Sequence, residues 1–487
     1  MPAATRAKPV ATKAKRAPAK PRKTRTPAVE KVAARRYAAA KIDRLTADWV
    51  FSHRKASDEI REGLPVIRSR ARELEENDAI ARRYLSLVEA NIVGKSGFTL
   101  RHNVDESLRD QSRQVRAAFY EWLDHADVSG HLDGPGLQRH FARTTARDGE
   151  ALGLFRRGRE YRDGVGVMLL ESDHIPHTLN DEYAGIIMGV RLDGNGRPVS
   201  YMISDVHPGG NEYRAQYREH RARDVLHLYR TERPSQVRAV SWMAGVMIPL
   251  RMLHGYQEAE LVAARVSSCQ MGFYKVPPGN DWGGDGTDGE GNPVTDASPG
   301  TFERLPDGWD FQSFNPSHPT TQYHEFVKSK LREIAVGLEV SYSALISDGS
   351  DANYSSMREM SILEREGWMV KQSWFARAVM ARLYSEWLLT ADLMGRFDFD
   401  IDPFIASARW SGRTWPWVDP QKDAAAHKIA VELGLTSPQI LAAEKGLDYD
   451  EVCRLIAEDE ATRAANGLPS LFAELNGGKS NGNQEND

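Results

Sequence analysis

Three residues in one short polar stretch carry side chains that commonly bind metal ions. Asp173 and His174 are adjacent, and His177 follows three residues later. Carboxylate oxygens and imidazole nitrogens are ordinary zinc ligands, so one hypothesis is a nucleic-acid-binding, metal-dependent hydrolase or nuclease that uses this group and nearby acids. A His-x-x-His pair with a single acid lacks the spacing of an established zinc motif, and the sequence favours a polar surface loop here.

A second group of acids lies in the glycine-rich stretch 279–291, GNDWGGDGTDGEG. The acids of this stretch are Asp281, Asp285, Asp288 and Glu290. They do not fall at the ligand positions of an EF-hand loop, and one copy cannot build a repeated calcium-binding solenoid, so a flexible acidic tip is favoured. The P-loop, nucleophile-elbow and HExxH motifs are also absent from the sequence. The sequence therefore predicts no enzyme, no cofactor and no metal site.

Two helical segments flank the acidic stretch and would hold it at the end of a stalk. Residues 235–273 are predicted to form one long helix, or two helices that meet at a kink at Pro249. Beyond that proline, apolar and small residues recur at spacings of four and three: Met252, Tyr256, Ala259, Ala263 and Val266. Residues 322–336 show a similar spacing on a returning helix. Such narrow seams leave the stalk with little core of its own, so we expect it to pack against another copy of the chain.

Charged residues on the two stalk helices form a second group of candidates. On the returning helix, His324, Lys328 and Arg332 are spaced i, i+4 and i+8 and are predicted to share one face. The first helix carries charges of both signs, at Arg251, Glu258 and Arg265. If the stalks form a ring, we expect these faces to line its channel or to contact the next subunit. A solvated helix face is the alternative.

A polar loop, SDGSDANY, lies at 347–354, just before a long predicted helix. Its candidate residues are Ser347, Asp348, Ser350, Asp351, Asn353 and Tyr354. Small polar residues make a loop mobile, and a neutral-to-acidic loop would let a polyanion slide past where a basic loop would grip it. The alternative is a loop that only caps the helix that follows.

The remaining sequence predicts a mixed helical and stranded body. Helices are expected over 79–93, 112–125, 137–155 and 355–393, and strands over 165–171, 185–192, 199–204 and 397–404. The third of these helices would contain the tripeptide Gly149-Glu150-Ala151. Short helices are expected over 420–466. The fold class is therefore α+β.

Charge is distributed unevenly along the 487 residues. Residues 1–41 contain 13 Lys or Arg and one acid, Glu30, so this arm carries +12. Because the whole chain carries −4, the remainder carries −16. A basic arm on an acidic body suggests contact with nucleic acid or an acidic partner. Two distant cysteines, Cys269 and Cys453, indicate a reducing compartment, and no apolar run is long enough to span a membrane.

Several short motifs, in this order, resemble phage portal proteins of the lambda type, which are head–tail connectors. The resemblance extends over about residues 45–465. It rests on Gly149-Glu150-Ala151, YQEAEL at 256–261, GLEV at 337–340 with Tyr342, SDANYSS at 350–356 with Arg358, Trp415-Pro416, Val418-Asp419-Pro420, Gly434-Leu435 and Gly446. The basic arm and the long Gly/Asp-rich insert have no counterpart in it.

The resemblance implies a portal-type fold in a homo-oligomeric ring, typically of about twelve subunits, at one capsid vertex. Residues 42–234 would form the wing, 235–274 and 319–337 the antiparallel two-helix stem, and 275–318 the clip. Residues 338–419 would hold the tunnel loop, the long helix and the completion of the wing. Residues 420–466 would form the crown, followed by a polar tail at 467–487.

The resemblance also implies partners. Double-stranded DNA would pass the tunnel loop and stem during packaging and ejection. The clip residues Asp281, Trp282, Asp285, Asp288 and Glu290 would contact the terminase large subunit and later the head-completion proteins. Major capsid and scaffold proteins would surround the ring, which would assemble in the host cytoplasm and remain in the virion. The alternatives are the metal-dependent hydrolase and a monomeric adaptor that binds nucleic acid through the arm alone.

Overall fold

The computed structural model describes residues 53–209, 216–268, 272–275, 286–287, 293–294, 310–313, 323–348, 350, 354–415, 420–445 and 447–470. The predicted basic arm and most of the predicted clip lie outside these residues. Within the described ranges, no helix is both long enough and apolar enough to cross a membrane.

The described residues contain thirteen α-helices. They are α1 (Ala56–Asn77), α2 (Ala79–Val88), α3 (Arg109–Leu123), α4 (Gly134–Asp148), α5 (Met247–Ser268), α6 (Tyr323–Gly337), α7 (Tyr342–Ile346), α8 (Tyr354–Phe375), α9 (Ala381–Leu393), α10 (Asp402–Ser407), α11 (Pro420–Glu432), α12 (Pro438–Glu444) and α13 (Tyr449–Ala465). A π-helical turn, Ala376–Met380, joins α8 to α9, and a second one, Glu89–Val93, follows α2. The long helix predicted over 355–393 is thus present, with one bulge.

The strands are short and all their pairings are antiparallel. They are β1 (Thr99–His102), β2 (Glu150–Arg157), β3 (Val165–Leu170), β4 (Ile186–Ile187), β5 (Val190–Leu192), β6 (Pro198–Ser204), β7 (Tyr217–Arg221), β8 (Val225–Tyr229), β9 (Gly272–Lys275), β10 (Gly286–Thr287), β11 (Pro293–Val294), β12 (Asp310–Ser313) and β13 (Ala408–Ser411). They form sheets β3-β2-β8 and β4-β5-β6-β7 and the pairs β1-β13, β9-β12 and β10-β11. The fold is therefore a mixture of helix and antiparallel sheet.

Local sequence signals account for several of the helix boundaries. The Asp78 carboxylate accepts hydrogen bonds from the amides of Ile80 and Ala81, both at 2.8 Å, and so caps α2. Asp133 caps α4 through the amide of Gly136 at 2.7 Å. On α3, Val115, Phe119 and Trp122 share one fully buried face, as their spacing predicts.

The prediction of helix through 149–155 is wrong. Gly149 has φ 91°, which ends α4 in the left-handed region, and a Cβ there would lie 2.3 Å from the carbonyl carbon of Val240. The chain continues as strand β2, whose first six residues are buried. A continuous apolar run of this kind is buried on both faces, so its periodicity does not distinguish a strand from a helix.

Three other expected elements also differ from the structure. Pro403 lies in the first turn of α10, so residues 402–407 are helical where a strand was predicted over 397–404. Met188 and Gly189 have φ 48° and 78° and split the strand predicted over 185–192 into β4 and β5. The first stem helix begins only at Met247, so Pro249 lies in its first turn and causes no break.

The core around the long helix is aromatic. Trp122 and Trp387 are fully buried with ring centroids 6.0 Å apart, and Phe119 packs against Tyr384 at 5.3 Å. His102 on β1 lies between the hydroxyls of Ser112 and Tyr384, at 2.9 and 2.8 Å. Burial lowers the pKa of His102 to about 4, so this bridge is neutral at physiological pH. These contacts hold α3 and β1 against the long helix.

A buried carboxylate, Glu150 at the start of β2, is the centre of an ion-pair network. Arg238 binds both carboxylate oxygens, with Nε 2.7 Å from Oε2, and Arg68 on α1 donates to Oε1 at 2.6 Å. His227 on β8 lies 2.9 Å from Oε2. Arg238 also donates to the carbonyls of Ser172, Ile175 and Met188 at 2.9 to 3.1 Å.

Opposite charges are in direct contact in this network although the side chains are almost completely excluded from water. Burial alone would raise the pKa of Glu150, but Arg238, His227 and Arg68 together hold it far below its ordinary range. Burial lowers the pKa of His227, so its neutral ring donates from Nε2. The network joins α1, β2, β8 and the segment that leads into α5.

Replacing Glu150→Gln should destabilise the protein by about 3–5 kcal/mol, because the fully buried guanidinium of Arg238 would lose its carboxylate partner. Chemical denaturation at pH 7 measures the change. The difference in stability between wild type and variant should become smaller as the pH falls below about 4. Folding lowers the pKa of Glu150, so its carboxylate stabilises the protein above the pKa of the unfolded state, and this stabilisation is lost as the carboxylate is protonated in acid.

Glu106→Gln is the matched control, since the Glu106 side chain is 87% exposed and pairs with Arg109 on the surface. It should change stability by less than about 0.5 kcal/mol. Equal effects of the two substitutions would contradict a structural role for the buried network.

Candidate functional site

The stem consists of α5 and the returning helix α6. At its base, Leu250, Leu253, Leu331 and Ile334 are buried in the main core. Farther along α5, the described residues from 254 to 265 are all half-buried or exposed. The ring of Tyr256 contacts Tyr323 and Phe326 on α6, with centroids 5.8 and 5.0 Å apart. Paired strands β9 and β12 continue beyond the helices. The stem therefore leaves the core as a helix pair with much of its surface uncovered.

The expected seam on α5 divides between two faces. Tyr256, which packs against α6, and Ala263 are half-buried, whereas Met252 and Ala259 are exposed. A continuous exposed line instead follows the neighbouring face, at spacings of four, three, four and three. We call this line the outer seam; it consists of Ile248, Met252, Gly255, Ala259 and Val262. This exposed line has the spacing of the expected seam and shares Met252 and Ala259 with it.

The predicted charged residues of the stem do not all lie on its surface. Arg251, Glu258 and Arg265 are exposed and spaced by seven residues, so they form one line beside the outer seam. His324 and Arg332 on α6 are exposed as well. Lys328, expected on the same face as these two, is only 6% exposed.

The connection from α6 to the long helix contains two residues with left-handed backbone. Glu339 has φ 57° and Ser347 has φ 61°, values that residues other than glycine seldom adopt. Lys371 on α8 holds the Glu339 carboxylate at 2.9 Å. Arg83 on α2 donates to the carbonyl of Ala344 at 3.1 Å and to the Ser347 hydroxyl at 3.4 Å. Side chains from distant elements thus stabilise both turns.

Asp348, the first acid of the predicted tunnel loop, is held towards the body of the subunit. The Tyr342 hydroxyl donates to its carboxylate at 3.2 Å, and the amide of Ser350 donates at 3.0 Å. The Ser350 amide is the main cause of the lowered pKa of Asp348, and the charge of Lys328 lowers it further. Burial and this carboxylate raise the pKa of Tyr342. Asp348 is therefore a fixed, half-buried anion at physiological pH.

The remaining predicted site residues belong to the loop before α8 and to the clip. Asp351 and Asn353 lie outside the described residues, and Tyr354 is described only as the first residue of α8. The five clip candidates also lie outside the described part of the chain. They are Asp281, Trp282, Asp285, Asp288 and Glu290.

Among the described residues, the three members of the metal hypothesis do not form a group with ligand atoms within 4.8 Å of one another. Asp173 pairs with Arg68 at 3.1 Å and with Arg72 at 2.6 Å. Burial raises the pKa of Asp173, but the two arginines outweigh this effect, so its pKa is lowered. His174 donates from Nδ1 to the carbonyl of Ser204 at 2.9 Å. Two arginine charges beside a carboxylate oppose the binding of a cation.

Glu171, Asp173 and His207 do bring ligand atoms within 4.8 Å of one another. His207 Nδ1 accepts from the amide of Gly209 at 3.0 Å, which assigns the ring proton to Nε2, 2.7 Å from Glu171. Arg72 lies 2.6 Å from Asp173 and 3.6 Å from Glu171, so its positive charge opposes a cation here and this group is better explained as an ion-pair cluster.

Sequence reasoning missed three features of the site: the clamp made by Arg83, the contact between Tyr342 and Asp348, and the register of the outer seam. The heptad spacing of Arg251, Glu258 and Arg265 was the signal that could have placed the seam correctly. Residues at such spacing flank the adjoining apolar line of a packed helix.

Comparisons with known proteins agree over most of the chain. The pattern of the family described as "Phage portal protein, lambda family" matches residues 43–372. The probable portal protein of Halomonas phage phiHAP-1 is 29% identical over 428 residues, which cover 83% of this chain and 82% of the relative. The portal protein of Escherichia phage N15 is 24% identical over 465 residues, covering 82% and 84%.

Solved structures show a weaker likeness. A chain from the virion of a native gene transfer agent particle covers 86% of this chain and 95% of its own length, with TM-score 0.43 and 14% identity. A chain from the neck of the native particle, computed with C12 symmetry, covers 82% and 95%, with TM-score 0.40 and 15% identity.

The Arg83 clamp can be tested by hydrogen exchange. Arg83→Ala should accelerate amide exchange in α7 by up to about tenfold, because the last turn of α7 would lose charge-assisted hydrogen bonds. The informative amides are those of Leu345 and Ser347, which donate to Ser341 and Ser343. Arg82→Ala removes an exposed neighbouring arginine and serves as the control. Unchanged exchange in the first variant would show that Arg83 does not hold this turn.

Proposed function

Because the chain belongs to the lambda family of phage portal proteins, we propose that about twelve copies form a ring at one capsid vertex. The protein is a structural portal protein, or head–tail connector, of a phage-type virion. Double-stranded DNA would be packaged, and later ejected, through a channel along the ring axis.

The observation that carries this proposal is the span of the family match together with the geometry of the stem. The match over 43–372 includes the body, both stem helices and the loop that follows them. The stem leaves the body as a helix pair whose outer seam has exposed side chains such as Met252, at 70% exposure. A monomer with such a surface is incomplete, and a ring of copies would cover it.

The charges of the described site suit a channel through which DNA slides. Asp348 stays ionised because its pKa is lowered, so it would repel phosphates instead of binding them. Lys328, which would attract phosphates, is buried beside it. Any DNA contact in the stem would be made by exposed residues such as Arg251, Arg265 and Arg332. Glu258 lies between the first two of these on α5.

Further partners follow from the same proposal. Asp281, Trp282, Asp285, Asp288 and Glu290 in the clip would contact the terminase large subunit and then the head-completion proteins. Capsid and scaffold proteins would contact the outside of the ring during assembly in the host cytoplasm. The crown helices α11 to α13 would lie inside the head.

The ring itself predicts a native mass of about a dozen subunits and electron-microscope images with a central hole. Removing residues 1–41 should leave the ring intact, because the uncovered helix faces lie in the stem. A truncated chain that is monomeric at all concentrations would contradict this, and would favour an adaptor that acts through the arm.

The channel predicts that charge reversal in the loop slows DNA passage. The double variant Asp348→Lys, Asp351→Lys should reduce the amount of nuclease-protected DNA per particle, since lysines would attract passing phosphates. Asp348→Asn with Asp351→Asn removes the negative charges without adding positive ones and should have a smaller effect. Normal packaging by rings of the lysine variant would show that this loop does not meet DNA.

A further inference from the structure

The outer seam of α5 is an apolar helix face that the described part of the subunit leaves uncovered. Ile248, Met252 and Val262 are 65%, 70% and 51% exposed, and the small residues Gly255 and Ala259 complete the line. Spacings of four and three residues keep such a line on one side of a helix over several turns. This is the pattern of a helix that packs against another helix along its length.

Gly255, in the middle of this line, supports close packing. Glycine inside a helix destabilises it by about 1 kcal/mol relative to alanine. A Cβ added at Gly255 would meet no atom within 4 Å in the described structure, so no contact within the subunit requires glycine there. Close approach of a group from another molecule is a physical reason for a glycine at an open position.

A second exposed line lies on α6 and has a complementary composition. Its residues follow at spacings of three, four and three: Phe326, Ser329, Glu333 and Val336. Phe326 and Val336 are 45% and 77% exposed. The α6 line therefore carries a large aromatic side chain, Phe326, which complements Gly255 in the outer seam. It also carries an acid, Glu333, which complements Arg251 beside that seam.

In a ring, the outer seam of one subunit and the α6 line of the next would lie at the same height along the ring axis. Subunits related by rotation about one axis keep each atom at the same height, and each ring contact joins two different surfaces of the chain. Within one subunit, Phe326 lies level with Tyr256, next to Gly255, since their ring centroids are 5.0 Å apart. Likewise Gly337, next to Val336, approaches Val246 closely at the base of the stem.

We propose that the outer seam of one copy packs against the α6 line of the neighbouring copy. Phe326 would insert over Gly255, Val336 would lie near Ile248, and Glu333 would pair with Arg251. This inference rests on the proposed ring and adds the specific surfaces by which neighbouring stems bind.

A pair of substitutions on α5 tests the seam. Met252→Glu should raise the protein concentration needed for ring assembly at least about tenfold, because it places a charge in an apolar contact beside Glu333. Leu261→Glu is the matched control: Leu261 is 53% exposed and lies nine residues on, about half a turn around the helix from Met252. Leu261→Glu should assemble like wild type.

Charge exchange tests the pairing within the same contact. Arg251→Glu and Glu333→Arg should each weaken assembly, and the double variant should restore it, since only groups that meet compensate in this way. Native mass spectrometry over a dilution series measures all these variants, and circular dichroism checks that each subunit remains folded.

The outcomes distinguish this inference from the function on which it rests. A wild-type chain that forms no ring would overturn the proposed ring and the seam with it. Either of two results would overturn the seam while leaving the portal function in place. One is ring assembly by Met252→Glu at the same protein concentration as wild type. The other is a charge-exchanged double variant that assembles no better than the single variants.

Discussion

The buried charge of Glu150 is the constraint on which the arrangement of the body depends. A carboxylate excluded from water is stable only where cations are held against it, and here Arg68 and Arg238 meet that need from two distant parts of the chain. Arg238 precedes the first stem helix by only a few residues. Its hydrogen bonds to three carbonyls, together with the bond from the Trp242 amide to the carbonyl of Ala146, anchor the segment from which the stem emerges.

The site surfaces follow from what this anchored body covers and what it leaves exposed. Leu250 and Leu253 are taken into the core, whereas Met252, one residue from Leu253, stays exposed on the opposite face. On α6, Lys328 is buried next to Asp348, and Arg332 lies over the ring of Tyr342 with its guanidinium carbon 5.7 Å from the ring centroid. The subunit therefore uses part of its basic charge internally and presents mixed charge and apolar lines on the stem, as expected of a component that is complete only in an assembly.

Much of the architecture was predictable because it depends on local signals. Asp78 caps α2, and the spacing of Val115, Phe119 and Trp122 predicts the buried face of α3. The errors arose where local signals are ambiguous. The run from Ala151 to Phe155 contains no polar side chain and so has no polar–apolar period, and Pro249 is equally compatible with a kink and with the first turn of a helix. Asp173, His174 and His177 suggested metal ligands because the sequence does not show that Arg68 and Arg72 lie beside Asp173.

The sequence by itself determined the mixed α+β class, the two-helix stem with its four-and-three spacing, the uneven charge and the family, because these depend on residue order within a few turns of chain or on short motifs. Only the tertiary structure decided which face of α5 is outermost, that Lys328 is buried, and that Asp348 is held by Tyr342. Burial and ion pairing depend on residues that are far apart in the chain, as Arg68, Glu150, His227 and Arg238 are, and a helical period specifies the width of an apolar face without specifying which neighbour it meets.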